Sequence, residues 1–354
     1  MSVNVGILSI AHGHINAYLK IWREHPEYGV NVVAGWDHNA ERVRQMAEQH
    51  GIACVDSAQA LLARPDVQAV VIAAETAYHA ELVEQAAAAG KAIVVQKPLA
   101  LTLTEADRIV AAVQRYGVPF TMAWQMRTDP QNIQMKELLA GGTFGKVYSV
   151  RRRHGLGTHL WPGFADTWHV QPDMNRDIWA DDTSHPIDFI HWLLGVPESV
   201  TAEIITAANP RIPNDNGVAL FRYPGGPLVE VCCSYTCAAA ENTTEIYAEK
   251  GVIIQSFGDG PSSAAPHQPG LSGLKWYMAD TKEWTYSDIP SPASGHGERI
   301  AGLSQPLAEF LNGTRGPICS AEDARISLRM LLATYVSTRE GRRVLLDDPA
   351  IALV

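Results

Sequence analysis

The sequence predicts two fused domains. Residues 1–125 read as an α/β domain on a doubly wound parallel sheet, and 126–354 as an α+β domain with a largely antiparallel, open-faced sheet. Three observations carry this. A chain of 354 residues is long enough for two domains of ordinary size. Its first part alternates short β-branched runs, apolar on both faces, with longer helical patterns, as a parallel sheet covered on both sides requires. Beyond 126 strands become frequent and alternate apolar with polar residues, as antiparallel strands do.

The first-domain strands are Val3–Ile10, Val30–Trp36, Ala69–Ala73, Ala92–Val95 and Pro119–Ala123, with helices near 14–24, 40–50, 77–89 and 104–116 between them. Gly51, Gly90 and Gly117 follow the last three helices, where a left-handed residue ends a helix without steric cost. Thr104 is read as the cap of the helix at 104–116, with Asp107 at the position of the capping partner. In the second domain a helix at 130–140 runs into Gly141-Gly142. Strands follow at 146–154, 200–206, 217–223, 228–235, 243–248 and 252–255. The alternation in Val218–Phe221 and Leu228–Val231, on either side of Pro224-Gly225-Gly226-Pro227, predicts a hairpin. A helix near 182–194 interrupts the strands. Segments 258–273 and 290–297, rich in Gly, Pro, Ser and Ala, read as loops. Helices at 298–312 and 321–339 close the chain, the last able to fold back on the first domain.

Composition narrows the function. With 46% hydrophobic and 19% charged residues the chain is globular rather than disordered. A net charge of −10 argues against a general nucleic-acid binder, which needs basic surface for phosphate contacts. No apolar run is long enough to span a bilayer, so no membrane partner is expected. No basic region precedes the first apolar run, the first Lys being Lys20, so no secretory signal is expected and the predicted compartment is cytoplasmic. The five cysteines form no CxxC pair, which indicates neither a disulfide framework nor a zinc knuckle.

Where the first strand turns into the first helix, a Rossmann fold binds the dinucleotide pyrophosphate on helix N-terminal amides. Here that turn reads Ser9-Ile10-Ala11-His12-Gly13-His14, and Ser9, Ala11 and His14 stand at the three glycine positions of GxGxxG. Ser9 and Ala11 still allow close approach, whereas His14 does not. Asp37, at the end of the second strand, has two readings: an acceptor for the adenosine ribose hydroxyls, or a plain cap of the helix starting near Asn39.

Gln96-Lys97-Pro98 follows the strand at 92–95. Ahead of it lie Ala69-Val70-Val71-Ile72, His79 and Gly90-Lys91. After it come Arg127 with Pro130, Gly142-Thr143-Phe144-Gly145-Lys146-Val147, then Asp181-Asp182-Thr183-Ser184-His185-Pro186-Ile187-Asp188, and the tail from Ala321-Glu322-Asp323 through Ser337 to Arg343-Val344. In order and spacing these resemble the Gfo/Idh/MocA oxidoreductase family over nearly the whole chain. The chain departs from that pattern at Gln96, where the family usually has Glu, at Ala74-Glu75-Thr76 in place of a T-P-N turn, and at Thr183 in place of a motif glycine.

The resemblance implies an NAD(P)-dependent dehydrogenase of CH–OH groups, moving hydride between a secondary hydroxyl of a sugar, glycoside or cyclitol and the nicotinamide. It assigns His185 as the base, Lys97 as the electrophilic partner and Asp181 as the residue holding hydroxyl and imidazole in register. Ser9, Ala11, His12, Gly13, His14, Asp37, His38, Ala74, Glu75, His79, Gln96 and Lys97 are expected toward the cofactor; Arg127, Arg153, His154, Trp168, His169, Asp181 and His185 toward the substrate. Two rival readings remain: NAD-assisted elimination or hydrolysis of a glycoside, and a non-catalytic ligand-binding regulator on the same fold.

Spacing agrees independently, since Asp181, His185, Asp188 and Trp192 fall on one helical face, subject to Pro186 sitting in the first turn or bending the helix. If Asp37 receives the ribose, its charge repels a 2′-phosphate, so NAD is expected over NADP. The thirteen histidines show no metal-ligand spacing, and no metal is expected. In Arg151-Arg152-Arg153, strand alternation puts the outer two on one face. Trp161, Trp168, Trp179 and Trp192 suit either stacking on a carbohydrate ring or packing under loops. Few helices remain to cover the second sheet, so its open face is expected to pair with another copy in a dimer or tetramer.

Overall fold

Four- to seven-residue runs of Val, Ile and Ala form strands buried on both faces in the computed structural model, which describes residues 2–256, 273–291 and 296–354. Contacts divide the chain into two compact units. The first holds Met1–Gln125, Asp173–Asn175 and Ile300–Leu328, and the second holds Met126–Pro172, Arg176–Arg299 and Arg329–Val354.

In the first unit β1 (Val3–Leu8), β2 (Val30–Trp36), β3 (Ala69–Ile72), β4 (Ala92–Val95) and β5 (Phe120–Met122) make a parallel sheet in the order β2-β1-β3-β4-β5. Its middle strands are fully enclosed: Val5, Ile7, Val70, Val71, Ile93, Val94 and Val95 have no exposed surface. The helices α1 (His14–Glu24), α2 (Ala40–His50), α3 (Ala58–Leu62), α4 (His79–Ala88) and α5 (Leu103–Tyr116) intervene; four of them follow the predicted alternation, and the short α3 was not anticipated. Gly51 and Gly117 end α2 and α5 in left-handed conformations (φ 66° and 61°). The cap of α5 is corrected: Thr102, not Thr104, accepts from the Glu105 amide while Glu105 returns a bond to the Thr102 amide. A capping box needs Glu or Gln at its fourth position, and only the frame starting at Thr102 supplies one.

The second unit carries α6 (Pro130–Ala140), β6 (Val147–Gly155), the short helix α7 (Ile178–Asp182), α8 (Ser184–Leu194), and β7 (Ser199–Ile205), β8 (Asn216–Arg222), β9 (Leu228–Ser234), β10 (Thr243–Ala248), β11 (Gly251–Gln255), β12 (Leu274–Met278) and β13 (Glu283–Tyr286). The chain closes with α9 (His296–Ala301), α10 (Ser304–Leu311), α11 (Ala321–Glu340) and β14 (Val344–Leu345). The sheet order is β13-β12-β11-β10-β6-β9-β8-β7-β14; β6 and β9 run parallel and every other pair antiparallel. The predicted hairpin is β8–β9. Strands β12 and β13 were not anticipated, and the helix read over 298–312 is two helices broken at Gly302-Leu303. Most of the loop readings at 258–273 and 290–297 fall outside the described residues.

Strand alternation sorts this sheet's residues. Val150, Arg152 and His154 of β6, with Val229, Val231 and Cys233 of β9, are buried on its inner face. Arg152, fully buried, donates to Thr244 Oγ1 at 2.9 Å and lies over the Phe189 ring of α8 at 5.3 Å. The outer face shows Arg151, Arg153, Glu230 and Glu245 among exposed Leu220, Leu228, Tyr247, Trp284 and Tyr286. Among the described residues no helix is long and apolar enough to cross a membrane.

Candidate active site

The β1–α1 turn replaces glycine with a hydrogen-bonded substitute. Ser9 adopts φ 71°, a left-handed conformation costing a non-glycine residue about 1–2 kcal/mol. Its hydroxyl compensates: Oγ donates to Asp37 Oδ2 at 2.8 Å and accepts from the Ala11 amide at 3.1 Å. The first turn of α1 holds no acidic residue, and a Cβ at Gly13 would meet nothing within 4 Å, so the helix N-terminus is open to an anion. His14 folds back edge-on to His12, with ring centroids 4.3 Å apart.

Asp37 is more heavily engaged than either sequence reading supposed. Oδ2 also accepts from the Ile10 amide (3.0 Å) and Arg42 Nε (2.8 Å), and Oδ1 accepts from the Asn39 amide (2.9 Å). Burial pushes its pKa up, but Arg42, the two amides and Ser9 together hold it below the usual carboxylate range. The cap of α2 itself is Asn39, whose Oδ1 accepts from the Glu41 and Arg42 amides. Arg42 was missed in the sequence: its Nη2 also donates to Glu75 Oε1 at 2.9 Å and lies 3.1 Å from His38 Nε2. A signal existed. Arg42 sits in the first turn of a helix, where the dipole disfavours a cation unless an acid faces it.

The loop after β4 is pinned from beneath. His79 places Nδ1 2.9 Å from the Pro98 carbonyl and Nε2 3.1 Å from the Ala74 carbonyl, tying two loops that carry predicted cofactor residues. Burial pushes the His79 pKa down, against the pull of these carbonyls. Lys97 is buried, and its bond to Pro98 is cis. Gln96 donates from Nε2 to the Tyr18 hydroxyl at 2.9 Å. Gln96 Oε1 and Glu75 Oε2 are buried without a hydrogen-bond partner among the described residues, beyond the carboxyl ends of β4 and β3. Unsatisfied buried acceptors are rare unless a ligand completes them. With the open α1 terminus, this set fits a dinucleotide.

In the second unit the pattern at 181–188 folds as two helices rather than one. Pro186 has no amide to donate to the Asp182 carbonyl, and the helix breaks at Thr183. The two neighbouring carboxylates are consecutive residues of α7, and at about 3.6 residues per turn they face different ways. Asp181 Oδ2 lies 3.4 Å from His169 Nδ1. Asp182 Oδ2 is 2.7 Å from His154 Nε2, and its Oδ1 is 3.7 Å from His185 Nε2. Asp182 is thus the carboxylate seen against His185, and sequence spacing did not distinguish it from Asp181. His154 and His185 stack with ring centroids 6.3 Å apart. Beneath them Thr183 Oγ1 bonds the Tyr235 hydroxyl, and burial pushes the Cys233 thiol up to about 12.

Of the predicted substrate residues, His154, His169, Asp181 and His185 come together here. Trp168 stacks on His169 at 3.9 Å, with Phe164 on the other side at 6.0 Å and Trp161 edge-on to Phe164. Arg153 is exposed on the outer face and lines a cavity of about 240 Å³ with His154, Cys232 and Cys237. Arg127 grips Asp188 with two 2.8 Å bonds. No group of three or more His, Cys, Asp or Glu side chains among the described residues is arranged to hold a metal ion.

Residues 3–124 match the family model described as an oxidoreductase family with an NAD-binding Rossmann fold, and 132–254 match the GFO/IDH/MocA C-terminal domain. The inositol 2-dehydrogenase of Gluconacetobacter diazotrophicus is 30% identical over 301 residues, covering 82% of this chain and 82% of that protein. The chain belongs to the Gfo/Idh/MocA oxidoreductase family. The D-apiose dehydrogenase of Paraburkholderia graminis is 26% identical over 334 residues, or 92% of this chain and 85% of that one. A levoglucosan dehydrogenase solved with NADH and levoglucosan has the same fold, with a TM-score of 0.81 at 20% identity over 98% of this chain and all of that one. As a Gfo/Idh/MocA member, this protein is an NAD-binding oxidoreductase.

Proposed function

We propose that the protein oxidises a secondary hydroxyl of a polyhydroxylated ring (a sugar, glycoside or cyclitol), with NAD as acceptor, and that Lys97, Asp181 and His185 serve that step. The observation that carries the reading is the buried imidazole of His185, set 3.7 Å from a carboxylate beside a stack of Trp168, His169 and Phe164. Relatives named for D-apiose and inositol support the substrate class. When bound, NAD supplies a hydride acceptor. His185 takes the hydroxyl proton, the Lys97 ammonium stabilises developing alkoxide charge, and Asp181 orients the hydroxyl. The aromatic stack offers apolar faces to ring C–H groups.

A base must be neutral to accept a proton, so oxidation rises with pH as His185 loses its own. The test is absorbance at 340 nm with NAD and a panel of sugars and inositols. His185→Ala and Lys97→Ala should each lower kcat by about 10²–10⁴ while NAD binding changes far less. Near-normal turnover in either variant refutes the assignment.

For the sheet's outer face the proposed partner is a second copy. Arg151 lies 3.5 Å from Glu230 and 3.9 Å from Glu245, in a row with exposed Leu220, Leu228 and Tyr247. A face carrying both charge signs and apolar side chains can complement itself across a two-fold axis.

A further inference from the structure

We propose that Asp182 and His154 are positioning residues for His185, a single buried carboxylate held by one imidazole and presented to the other. This deepens the reading above and rests on His185 being the base. The side chains of His154, Asp182 and His185 are 0%, 5% and 1% exposed. At 2.7 Å the contact between His154 Nε2 and Asp182 Oδ2 is a charge-assisted hydrogen bond, so Nε2 carries the proton and donates it. His154 Nδ1 is buried with no hydrogen-bond partner among the described residues, as befits the bare nitrogen of a neutral ring. His154 therefore fixes Asp182 as an acceptor without neutralising it. The other oxygen, Oδ1, keeps its negative charge 3.7 Å from His185 Nε2.

Proton balance follows. In oxidation the substrate O–H proton passes to His185, its electron pair goes into the new C=O bond, and the C–H pair leaves as hydride to the nicotinamide. The trio then goes from a net charge of −1 to zero, and the positive imidazolium sits against Asp182. An opposite charge at this distance favours the protonated form by about 1–3 pH units. The neighbours hold their charge through this change. From β9 and its end, burial pushes the Cys233 thiol up to about 12 and the Tyr235 hydroxyl well above its ordinary range. Thr183 is uncharged. Arg152 lies two residues before His154 on β6, and Asp188, one turn further along α8, is paired with Arg127. Asp181 faces His169.

The test uses the full chain, ¹³C-labelled at histidine and titrated by NMR without cofactor, with signals assigned through His185→Gln and His154→Gln. Asp182→Asn should lower the His185 midpoint by about 1–3 units, and Asp181→Asn by much less. His154→Phe, which frees Asp182 Oδ2, should raise it, and keeps the test decisive if Asp182→Asn does not fold. A His185 midpoint that stays put in a folded Asp182→Asn, or in His154→Phe, overturns the proposal. The acid limb of kcat/KM against pH should move with the NMR midpoint. If the midpoint moves and the limb does not, the Asp182–His185 coupling stands and His185 is not the base.

Discussion

Replacing Arg127 by Leu removes two hydrogen bonds from a buried carboxylate: Nε to Asp188 Oδ2 and Nη2 to Oδ1, each 2.8 Å. The two side chains are 4% and 1% exposed, so water does not replace what is lost. Breaking a buried ion pair from one side costs about 3–5 kcal/mol, because the remaining charge stays desolvated. In a unit of this size each kcal/mol moves Tm by about 2–4 °C, which puts the expected drop at about 6–20 °C. Arg127→Leu combined with Asp188→Leu should recover at least half of it, since an apolar pair leaves no buried charge behind. Urea unfolding followed by tryptophan fluorescence, with calorimetry for Tm, measures all three variants. A folded Arg127→Leu whose Tm stays within about 2 °C of the parent while KM rises tenfold would refute this and return Arg127 to the substrate-binding role read from the sequence.

Three further outcomes are expected. NAD should be preferred over NADP, because the Asp37 carboxylate is held below its usual pKa and stays charged. Asp37→Ala should raise NADP affinity about tenfold or more by freeing one side of Arg42 for a 2′-phosphate, and adding Arg42→Ala should cancel the gain; equal affinity in the parent, read by fluorescence titration, refutes the assignment. Gly217→Ala should lower stability by about 1–3 kcal/mol in urea unfolding, since its Cβ would stand 2.5 Å from the Trp179 ring and 2.7 Å from the Glu203 carbonyl; an unchanged midpoint shows that the neighbours can move. Light scattering at micromolar concentration should give a dimer or tetramer, and Leu228→Lys should shift it toward monomer; a monomeric parent disproves the outer-face pairing.

The parallel sheet was legible because β3 and β4 are continuous apolar runs and β1 and β2 are nearly so, as burial on both faces demands. Motif order put Lys97 just after the strand at 92–95 and His185 on a helix, and both side chains are buried at those places. Asp182 was not legible, because on a helix i,i+3 and i,i+4 both place an acid beside His185, and spacing alone could not choose between two adjacent aspartates that face different histidines. Arg152 shows the converse. Alternation assigned it the opposite face from Arg151 and Arg153, but a charge buried beside Phe189 and Thr244 depends on partners far along the chain. Strands β12 and β13 lie beyond a segment rich in Gly, Pro and Ser, where the alternation of Leu274–Met278 stands alone without a turn to frame it.

The parallel pairing of β6 with β9 sets the order in which this site can assemble. Ser149 and His154 meet Leu228 and Cys233 across about 80 residues of chain. A parallel pair needs a crossover, and this one contains α7, α8 and the β7–β8 arm. His154 and Asp182 are only 28 residues apart, so their contact closes a shorter loop within that crossover. Contacts with the sequence separation of β6 and β9 slow folding. The β6–β9 pairing is therefore the late event, and His154–Cys233 proximity would report completion of the second unit's sheet, where helix content reports only its beginning.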